Sequence, residues 1–477
     1  MPQIAYLGFS ARVLGWALTM RRAVAVVFLV SACTSTAITQ TVSPRRLGQD
    51  LPVYSPSPST PNAAPLARVI EDPSEPITLR QALALALKQS PELATFAWEL
   101  RAREARILQA SRPPNPIVSA LVQDLGGTPE ISGPQDPIQP ATTLELSQLV
   151  ELGGKRAGRQ RLAERTRDLA AWDYEAARLD VLTRVTQAFL DVLASQERVA
   201  LTAQTTSLVG HVQQTVGLRV AAGVVSPIEK TRADVAQAAV RIESDRARRA
   251  LDADRRRLAA LWGSTEPRFK LVLGDLTVLP PFPLFDELEQ HLKQNPDIAR
   301  WTSEIARRQA TLALERSARV PDVTVSAGYR RYTSINGSAF LIGVSVELPL
   351  FNRNRGGIQE ASDRLSKARE EQLAARVRVT AMVAEAYRAL ASASDEVSAL
   401  TSNVLPGARS AFEAVSEGYR LGKFGYLEVL DAQRTLVSAG GQYLGALADY
   451  HKAAAEVERL IGVPLGEVSS SPTPSVK

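Results

Sequence analysis

Residues 87–93 read LKQSPEL, and residues 292–298 read LKQNPDI. Four further pairs of short segments match in the same order along the two halves of the chain: 115–118 with 320–323, 187–189 with 385–387, 223–229 with 422–428, and 261–263 with 460–462. A period of about 200 residues is far longer than that of solenoid repeats. The sequence therefore predicts an internal duplication, with repeats at 76–263 and 284–463 joined by a linker at 264–283, and a flexible tail at 464–477.

Each repeat is predicted to begin with one helix followed by two strands. In the first repeat Thr78 is a candidate N-cap, and the helix is expected to continue to about Ala110, before Pro113. Apolar and polar residues then alternate, which is typical of strands with one apolar face. The expected strands are at about 116–124 and 141–149 in the first repeat, and at 322–333 and 339–349 in the second. That apolar face could contact lipid.

Long helical hairpins are predicted to follow the strands. Residues 156–222 contain no proline, and as a helix they would extend about 100 Å. A coiled-coil seam with alternating spacings of four and three is expected at Val185, Phe189, Val192, Gln196, Val199, Ala203 and Thr206. The corresponding run at 358–421 contains Pro406-Gly407, where a kink is expected. Shorter helices at 226–262 and 425–461 would close the repeats, giving a mainly α fold with a small β part.

The predicted strand count requires an oligomer if the strands lie in a membrane. Four strands cannot close into a barrel, and open sheet edges are not tolerated in hydrocarbon. Three chains would supply twelve strands and could close. The sequence thus predicts a homotrimer with a shared barrel.

The N-terminus has the pattern of a bacterial export signal, predicted at 1–32 with Met20 as a possible true start. Arg21 and Arg22 precede a short apolar run, and the segment Val30-Ser31-Ala32-Cys33 resembles a lipobox, in which the cysteine is lipidated. An ordinary signal with a chance cysteine is the alternative. Residues 33–75, rich in proline and serine, are expected to form an extended tether.

Composition argues against several other classes of protein. The chain has 1 cysteine, which excludes a disulfide framework and a Cys-based zinc site, and its 3 histidines are isolated in sequence. No activated nucleophile or cofactor loop is recognisable, so we predict no catalytic, metal or cofactor site and no enzymatic activity. The net charge is only +6, with basic residues interspersed among acids, which argues against nucleic-acid binding.

The duplicated pattern resembles the TolC-like outer-membrane efflux factors, and within them the heavy-metal (cobalt–zinc–cadmium type) branch. The resemblance lies in Arg112–Ser119, Leu125–Gly127, Leu146–Arg156 and Leu348–Gly356. It implies a trimeric duct with a twelve-stranded outer-membrane barrel and a helical periplasmic tunnel. The implied partners are a periplasmic membrane-fusion adaptor and an inner-membrane RND pump. A duct for drugs or solvents, or for type I secretion, is the alternative, and a periplasmic coiled-coil scaffold is less favoured.

The two hairpin tips carry most of the residues that the resemblance singles out. It implies adaptor contacts at Gly223, Val224, Ser226, Gly422, Lys423 and Gly425. It also implies a periplasmic constriction formed by Glu428 and Asp431, and a mouth latch formed by Tyr419 and Glu229. The family has arginine at a further latch position where this chain has Phe424, so packing is expected there instead of a polar contact.

The tip residues also have a purely structural interpretation. Gly223 and Gly422 are expected to end helices in the left-handed conformation, and Ser226 is a candidate N-cap. Glu428 and Asp431 are three residues apart, so they would share a helix face that could simply be solvated.

Gly153, Gly154, Lys155 and Arg156 stand where the first repeat passes from strand to helix. Glycine suits such a junction because its backbone angles are free. For Lys155 and Arg156, a role at the barrel rim and simple solvation at the helix start both remain open.

Overall fold

The computed structural model describes residues 47, 50, 51, 72–123, 140–333 and 336–468. The predicted signal peptide, Cys33, most of the tether, the segment Leu125–Gly127 and the end of the tail lie outside the described residues.

The first repeat forms a short strand, two helices, two longer strands and a helical hairpin. The elements are β1 (Ile77–Thr78), α1 (Leu79–Gln89), α2 (Pro91–Ala110), β2 (Ile117–Gln123), β3 (Ala141–Val150), α3 (Lys155–Ala221) and α4 (Pro227–Ala260). Thr78 caps α1 as predicted, because its side chain accepts a hydrogen bond from the Gln81 N–H. The expectation of one continuous opening helix is wrong, since Pro91 disfavours helical geometry at Ser90 and α2 starts anew.

The second repeat follows the same order after the linker. Its elements are β4 (Val272–Leu273) in the linker, α5 (Phe285–His291), a 3₁₀ turn (Leu292–Gln294), α6 (Pro296–Ser317), β5 (Val323–Tyr332), β6 (Ser338–Val346), α7 (Arg355–Ala399), a π-helical turn (Leu400–Val404), α8 (Leu405–Arg420), α9 (Tyr426–Ile461) and α10 (Leu465–Val468). Asn295-Pro296 divides the opening helix as Ser90-Pro91 does in the first repeat.

The four longer strands form one antiparallel sheet in the order β2-β3-β5-β6. Strands of both repeats therefore meet at the central β3–β5 pair, where Leu144 lies opposite Tyr329. Val150 and Val323 are paired at the end of the sheet from which the chain passes to the helices. Ala141 and Tyr332 are paired at the opposite end, far from the helices. All four strands lie within a few residues of their predicted positions.

The long helices confirm the prediction for the first repeat and refine it for the second. Helix α3 is continuous over 67 residues. In the second repeat the helix does not simply kink at Pro406-Gly407; it widens into the π turn just before them, where the Leu405 N–H bonds to the Leu400 carbonyl. Because proline lacks an N–H and clashes with the carbonyl four residues back, a wider turn preceding Pro406 accommodates both defects.

The predicted seam along α3 is correct in its first part only. Val185, Phe189 and Val192 are buried, but Ala203 is exposed, and the buried row continues through Thr205, Val209 and Val216. The polar seam residue Gln196 is used for a specific contact. Its side-chain amide exchanges two hydrogen bonds with the backbone of Val272, at 2.7 and 3.1 Å, and so holds the linker strand against α3.

The linker packs into the body of the protein, and so do described parts of the tail and the tether, which were expected to be flexible and extended. In the linker, β4 pairs in parallel with β1. In the tail, Leu465 and Val468 are buried, and the Leu465 N–H donates to Glu458 Oε1 at 2.9 Å. In the tether, Leu51 is 9% exposed within an apolar cluster that includes Leu87. Isolated leucines in otherwise polar stretches are sufficient for this, because burying one apolar side chain is worth about 1.5–3 kcal/mol.

Candidate functional site

Both helical hairpins end in a glycine that adopts the left-handed conformation. Gly223 has φ +72° and Gly422 has φ +76°, which confirms the predicted helix ends. At the first tip the Gly223 N–H bonds to the Val220 carbonyl at 3.0 Å, and the Val224 N–H bonds to the Arg219 carbonyl at 2.9 Å. The second tip repeats this pattern with Gly422 and Lys423. Two Schellman motifs therefore fix the returning direction of the chain at equivalent places in the two repeats.

Ser226 occupies the N-cap position of α4 with Pro227 after it, but its side chain makes no capping hydrogen bond. The predicted N-cap position of Ser226 is therefore correct, but its side chain does not cap the helix; only the Ser226 carbonyl accepts the Glu229 N–H. The Glu229 carboxylate instead reaches across to the second repeat.

Tyr419 and Glu229, the two residues of the mouth latch, lie together in the structure. The Tyr419 hydroxyl donates to Glu229 Oε2 at 3.5 Å, which is long for such a bond. Tyr419 is 5% exposed and packs with Tyr426 in an apolar cluster at the tip. Burial raises the pKa of Tyr419; the charge of Arg219 opposes this effect and Glu229 adds to it, so the hydroxyl remains a donor at neutral pH. The contact joins α8 of one repeat to α4 of the other.

Arg219 supplies a further connection between the repeats that the sequence interpretation missed. Its guanidinium carbon lies 4.5 Å from the centroid of the Tyr419 ring, and Nη1 donates to the Tyr419 carbonyl at 2.6 Å. The residue that plays the same part in the second Schellman motif is Gly418, so the repeats differ at this place. The difference between Arg219 and Gly418 was the sequence signal that could have indicated this contact. A basic residue in the last turn of a helix is, however, also explained by its interaction with the helix dipole.

Phe424 packs on Gly418, in agreement with the expectation that packing replaces a polar contact at this position. A Cβ atom at Gly418 would collide with the Phe424 ring. The Gly418 carbonyl accepts the Lys423 N–H at 2.7 Å, which holds the turn against the helix end. Glycine is therefore required at 418 for contact and not for its backbone angles.

Glu428 and Asp431 lie on the exposed side of α9, opposite the buried residues Tyr426 and Val429. Within the described part of the chain, neither carboxylate is engaged in a hydrogen bond or an ion pair. The structure thus presents both acids on one helix face beside the second tip, as their spacing predicts.

The outermost surface of both tips is apolar. Five large apolar side chains there are between 47% and 62% exposed: Val224, Ile228, Leu421, Phe424 and Leu427. Lys423 and Gly425 are also exposed, between Leu421 and Leu427. Exposed apolar groups concentrated at one end of a molecule are typical of a surface that contacts another protein.

The strand–helix junction joins the two repeats. Gly153 has φ +67°, and a Cβ there would lie 2.8 Å from Val320 Cβ in the second repeat. The Lys155 ammonium pairs with Asp322 at 2.8 Å, and the Leu152 N–H donates to the same carboxylate at 3.0 Å. Burial alone would raise the pKa of Asp322, but these contacts outweigh it and lower that pKa.

Lys155 and Arg156 are therefore not simply solvated. Arg156 Nε donates to the Ser111 carbonyl at 2.7 Å, within the first repeat. Gly154 is the left-handed N-cap of α3, and Asn354, with φ +50°, has the same place before α7. Asn tolerates this conformation better than most residues, and its side-chain amide donates to the Glu315 carbonyl at 3.0 Å.

The sheet has one exposed apolar face and one more polar, partly shielded face. The cross-strand row Ala120, Leu144, Tyr329 and Phe340 belongs to the apolar face, and Phe340 is 86% exposed. Further members of this face are Val118, Leu146, Ala327, Ile342, Val325 and Val344. β2 and β6 are its open edges. The alternation predicted from the sequence is thus confirmed for β3, β5 and β6, whereas β2 also exposes Ile117 and Leu121 on the other face.

Two features are absent from the described residues. None of the helices there combines the length and apolar character needed to cross a membrane. In the same ranges, no three His, Cys, Asp or Glu side chains are grouped so that they could hold a metal ion.

The geometry agrees with comparisons to known proteins. The family model "Outer membrane efflux protein" matches twice, at residues 82–264 and 288–463. The chain is 38% identical over 387 residues to the cobalt-zinc-cadmium resistance protein CzcC of Cupriavidus metallidurans, covering 81% of this chain and 90% of that protein. It is 26% identical to the pyoverdine export outer membrane protein OpmQ of Pseudomonas aeruginosa, covering 75% and 79%.

A solved structure shows the same fold. The outer membrane protein VceC of Vibrio cholerae superposes with a TM-score of 0.65 at 19% identity, covering 81% of this chain and 96% of that one. Helical hairpins, a small sheet and the duplicated order of elements are those of a TolC-like channel. The chain belongs to the outer membrane efflux protein family.

Proposed function

We propose that this protein is the outer-membrane duct of a tripartite RND-type efflux pump and that it works as a homotrimer. The observation that carries the proposal is the four-stranded sheet with two open edges and one apolar face. Open edges and exposed apolar side chains are both satisfied when three such sheets close into a twelve-stranded barrel in lipid. The helical hairpins would then extend into the periplasm as a tunnel.

Divalent heavy-metal cations are the proposed cargo. Support comes from the similarity to CzcC, whose name states resistance to cobalt, zinc and cadmium. The described residues include no cluster of metal ligands, so the duct itself would not select the metal. Selection would belong to the inner-membrane pump. Export of a larger organic molecule is the second candidate, because OpmQ exports pyoverdine.

Growth tests would separate the two cargo classes. We expect a deletion strain to lose tolerance of zinc, cobalt and cadmium while its tolerance of hydrophobic drugs is retained. Unchanged metal tolerance with lowered drug tolerance would favour the second candidate.

The hairpin tips are the proposed docking site for the periplasmic adaptor. Gly223, Val224 and Ser226 of one tip and Gly422, Lys423 and Gly425 of the other lie at this end, beside the exposed apolar side chains. Burial of such side chains is the main favourable term in protein association. In the same proposal Glu428 and Asp431 line the periplasmic constriction, and Tyr419 with Glu229 helps to hold the mouth closed.

Cys33 is the proposed lipid anchor, and the outer membrane is the proposed location. We expect the variant Cys33→Ser to lose labelling by radioactive fatty acid while the protein still forms detergent-extracted trimers. A soluble monomer obtained from the native protein without detergent would contradict the proposed barrel.

A further inference from the structure

The polar face of the sheet carries an arginine, Arg330, that forms no ion pair with any of the described residues. Arg330 of β5 lies opposite Thr143 of β3 and Ala339 of β6, close to the end of the sheet that is far from the helices. This row belongs to the face opposite Tyr329 and Phe340, because side chains alternate along a strand. Arg330 is half-buried in the single chain.

Neutral groups hold the Arg330 side chain in place. Its Nε donates to the buried Thr143 hydroxyl at 2.9 Å, and its Nη2 donates to the Gln123 side-chain oxygen at 3.1 Å. These contacts span β5, β3 and β2, so three strands fix the guanidinium. Among the described residues no carboxylate forms an ion pair with Arg330, whereas many other arginines of the chain are paired, for example Arg307 with Glu304. A guanidinium is protonated at any physiological pH, so the full charge remains.

An opposite charge lies on the same face, nearer the helices. Glu145 is in the next cross-strand row, opposite Gly328. Within the described ranges it also lacks an ion-pair partner. On the polar face, the positive charge of Arg330 therefore lies nearer the far end of the sheet, and the negative charge of Glu145 lies nearer the helices.

We propose that Arg330 shifts the ion selectivity of the outer part of the barrel lumen towards anions. This inference rests on the proposed function, because a lumen exists only where three sheets close with their polar faces inward. Three copies then place three positive charges at one height. Rings of arginine or lysine favour anions in pores, and lumen substitutions tune barrel selectivity.

The test is the reversal potential of the purified trimer in planar bilayers under a potassium chloride gradient. We expect Arg330→Gln to raise the cation-to-anion permeability ratio by about twofold or more. The change should shrink in 1 M salt, where the Debye length falls to about 3 Å. Glu145→Gln should lower the same ratio.

Two further variants serve as controls for misfolding and for a wrong assignment of the sheet face that lines the lumen. Gln123→Glu places a carboxylate at the Arg330 guanidinium without removing it, and should shift selectivity in the same direction as Arg330→Gln. Arg331→Gln is the matched control, because Arg331 is exposed on the opposite face and donates to Asn336 at 3.2 Å. It should leave the permeability ratio unchanged.

The outcomes distinguish this inference from the proposed function. If the trimer conducts and both Arg330→Gln and Gln123→Glu match the native ratio, the role of Arg330 is wrong and the duct stands. If Arg331→Gln alone shifts the ratio, the assignment of the two sheet faces is wrong. If the native protein forms no trimer and no channel, the proposed function itself fails.

Discussion

The Arg219 guanidinium contacts both the ring and the backbone carbonyl of Tyr419. It therefore connects the two hairpins close to their tips. A hydrogen bond from a charged group is worth about 1.5–3 kcal/mol, and a cation–π contact at such a site about 0.5–1 kcal/mol. The long bond from the Tyr419 hydroxyl to Glu229 is worth less. Arg219 is therefore the stronger of the two connections.

We predict that Arg219→Ala opens the proposed periplasmic mouth more than Tyr419→Phe does. The first change removes both contacts with Tyr419, whereas the second removes only the hydroxyl. The measurement is the mean single-channel conductance and open probability in planar bilayers. Arg420→Ala is the control, since Arg420 is exposed and pairs only locally with Glu417 at 2.8 Å. Equal conductance of Arg219→Ala and the native protein would show that this connection does not hold the mouth.

At the scale of elements, the junction before α3 depends on two glycines in different ways. Both have positive φ, which costs other residues about 1–2 kcal/mol. Only Gly153 also lies against Val320, whereas a Cβ at Gly154 would meet open space. We predict that Gly153→Ala lowers the free energy of unfolding by about 1–3 kcal/mol more than Gly154→Ala, because of this added overlap. Thermal unfolding of the detergent-solubilised protein measures this difference in stability. Equal losses of stability in the two variants would contradict a role for the contact between Gly153 and Val320.

The same scale shows which features the sequence could predict. Strands β2, β3, β5 and β6 and the long α3 were predictable because alternation and the absence of proline are local signals. Pro91 indicated a break in the helix at Ser90. The helical pattern on both sides of it nevertheless favoured one continuous helix. The shift of the α3 seam towards Thr205 was not predictable, because it depends on which neighbouring helix packs there.

For the candidate site, the sequence predicted positions better than partners. The tip glycines and the Tyr419–Glu229 pair could be placed from motifs, since each belongs to a recognisable turn or family position. Lys155 and Asp322 could not be paired, because they are distant in sequence and meet only when the repeats fold together. The role of Arg219 required the same three-dimensional information. Contacts between repeats are therefore what the structure adds.

At the scale of the whole molecule, a trimer would bring six carboxylates, from three copies of Glu428 and Asp431, to one mouth. Both acids are exposed and unpaired within the described chain, so their charge is available to ions. Rings of Asp and Glu select cations and bind multivalent ions more tightly than monovalent ones, because each ion meets several charges at once. The proposed constriction should therefore favour cations at the periplasmic end.

We predict that the double variant Glu428→Ala, Asp431→Ala lowers cation selectivity and weakens block by trivalent cations added on the periplasmic side. Planar-bilayer recordings of reversal potential and block measure both effects, which should diminish at high salt because screening shortens the range of the charges. Glu417→Ala is the control: it removes an acid near the same tip that Arg420 already neutralises. If the double variant matches this control in selectivity and in block, the two acids are solvated surface groups. The constriction would then have to be formed by other residues of the long helices.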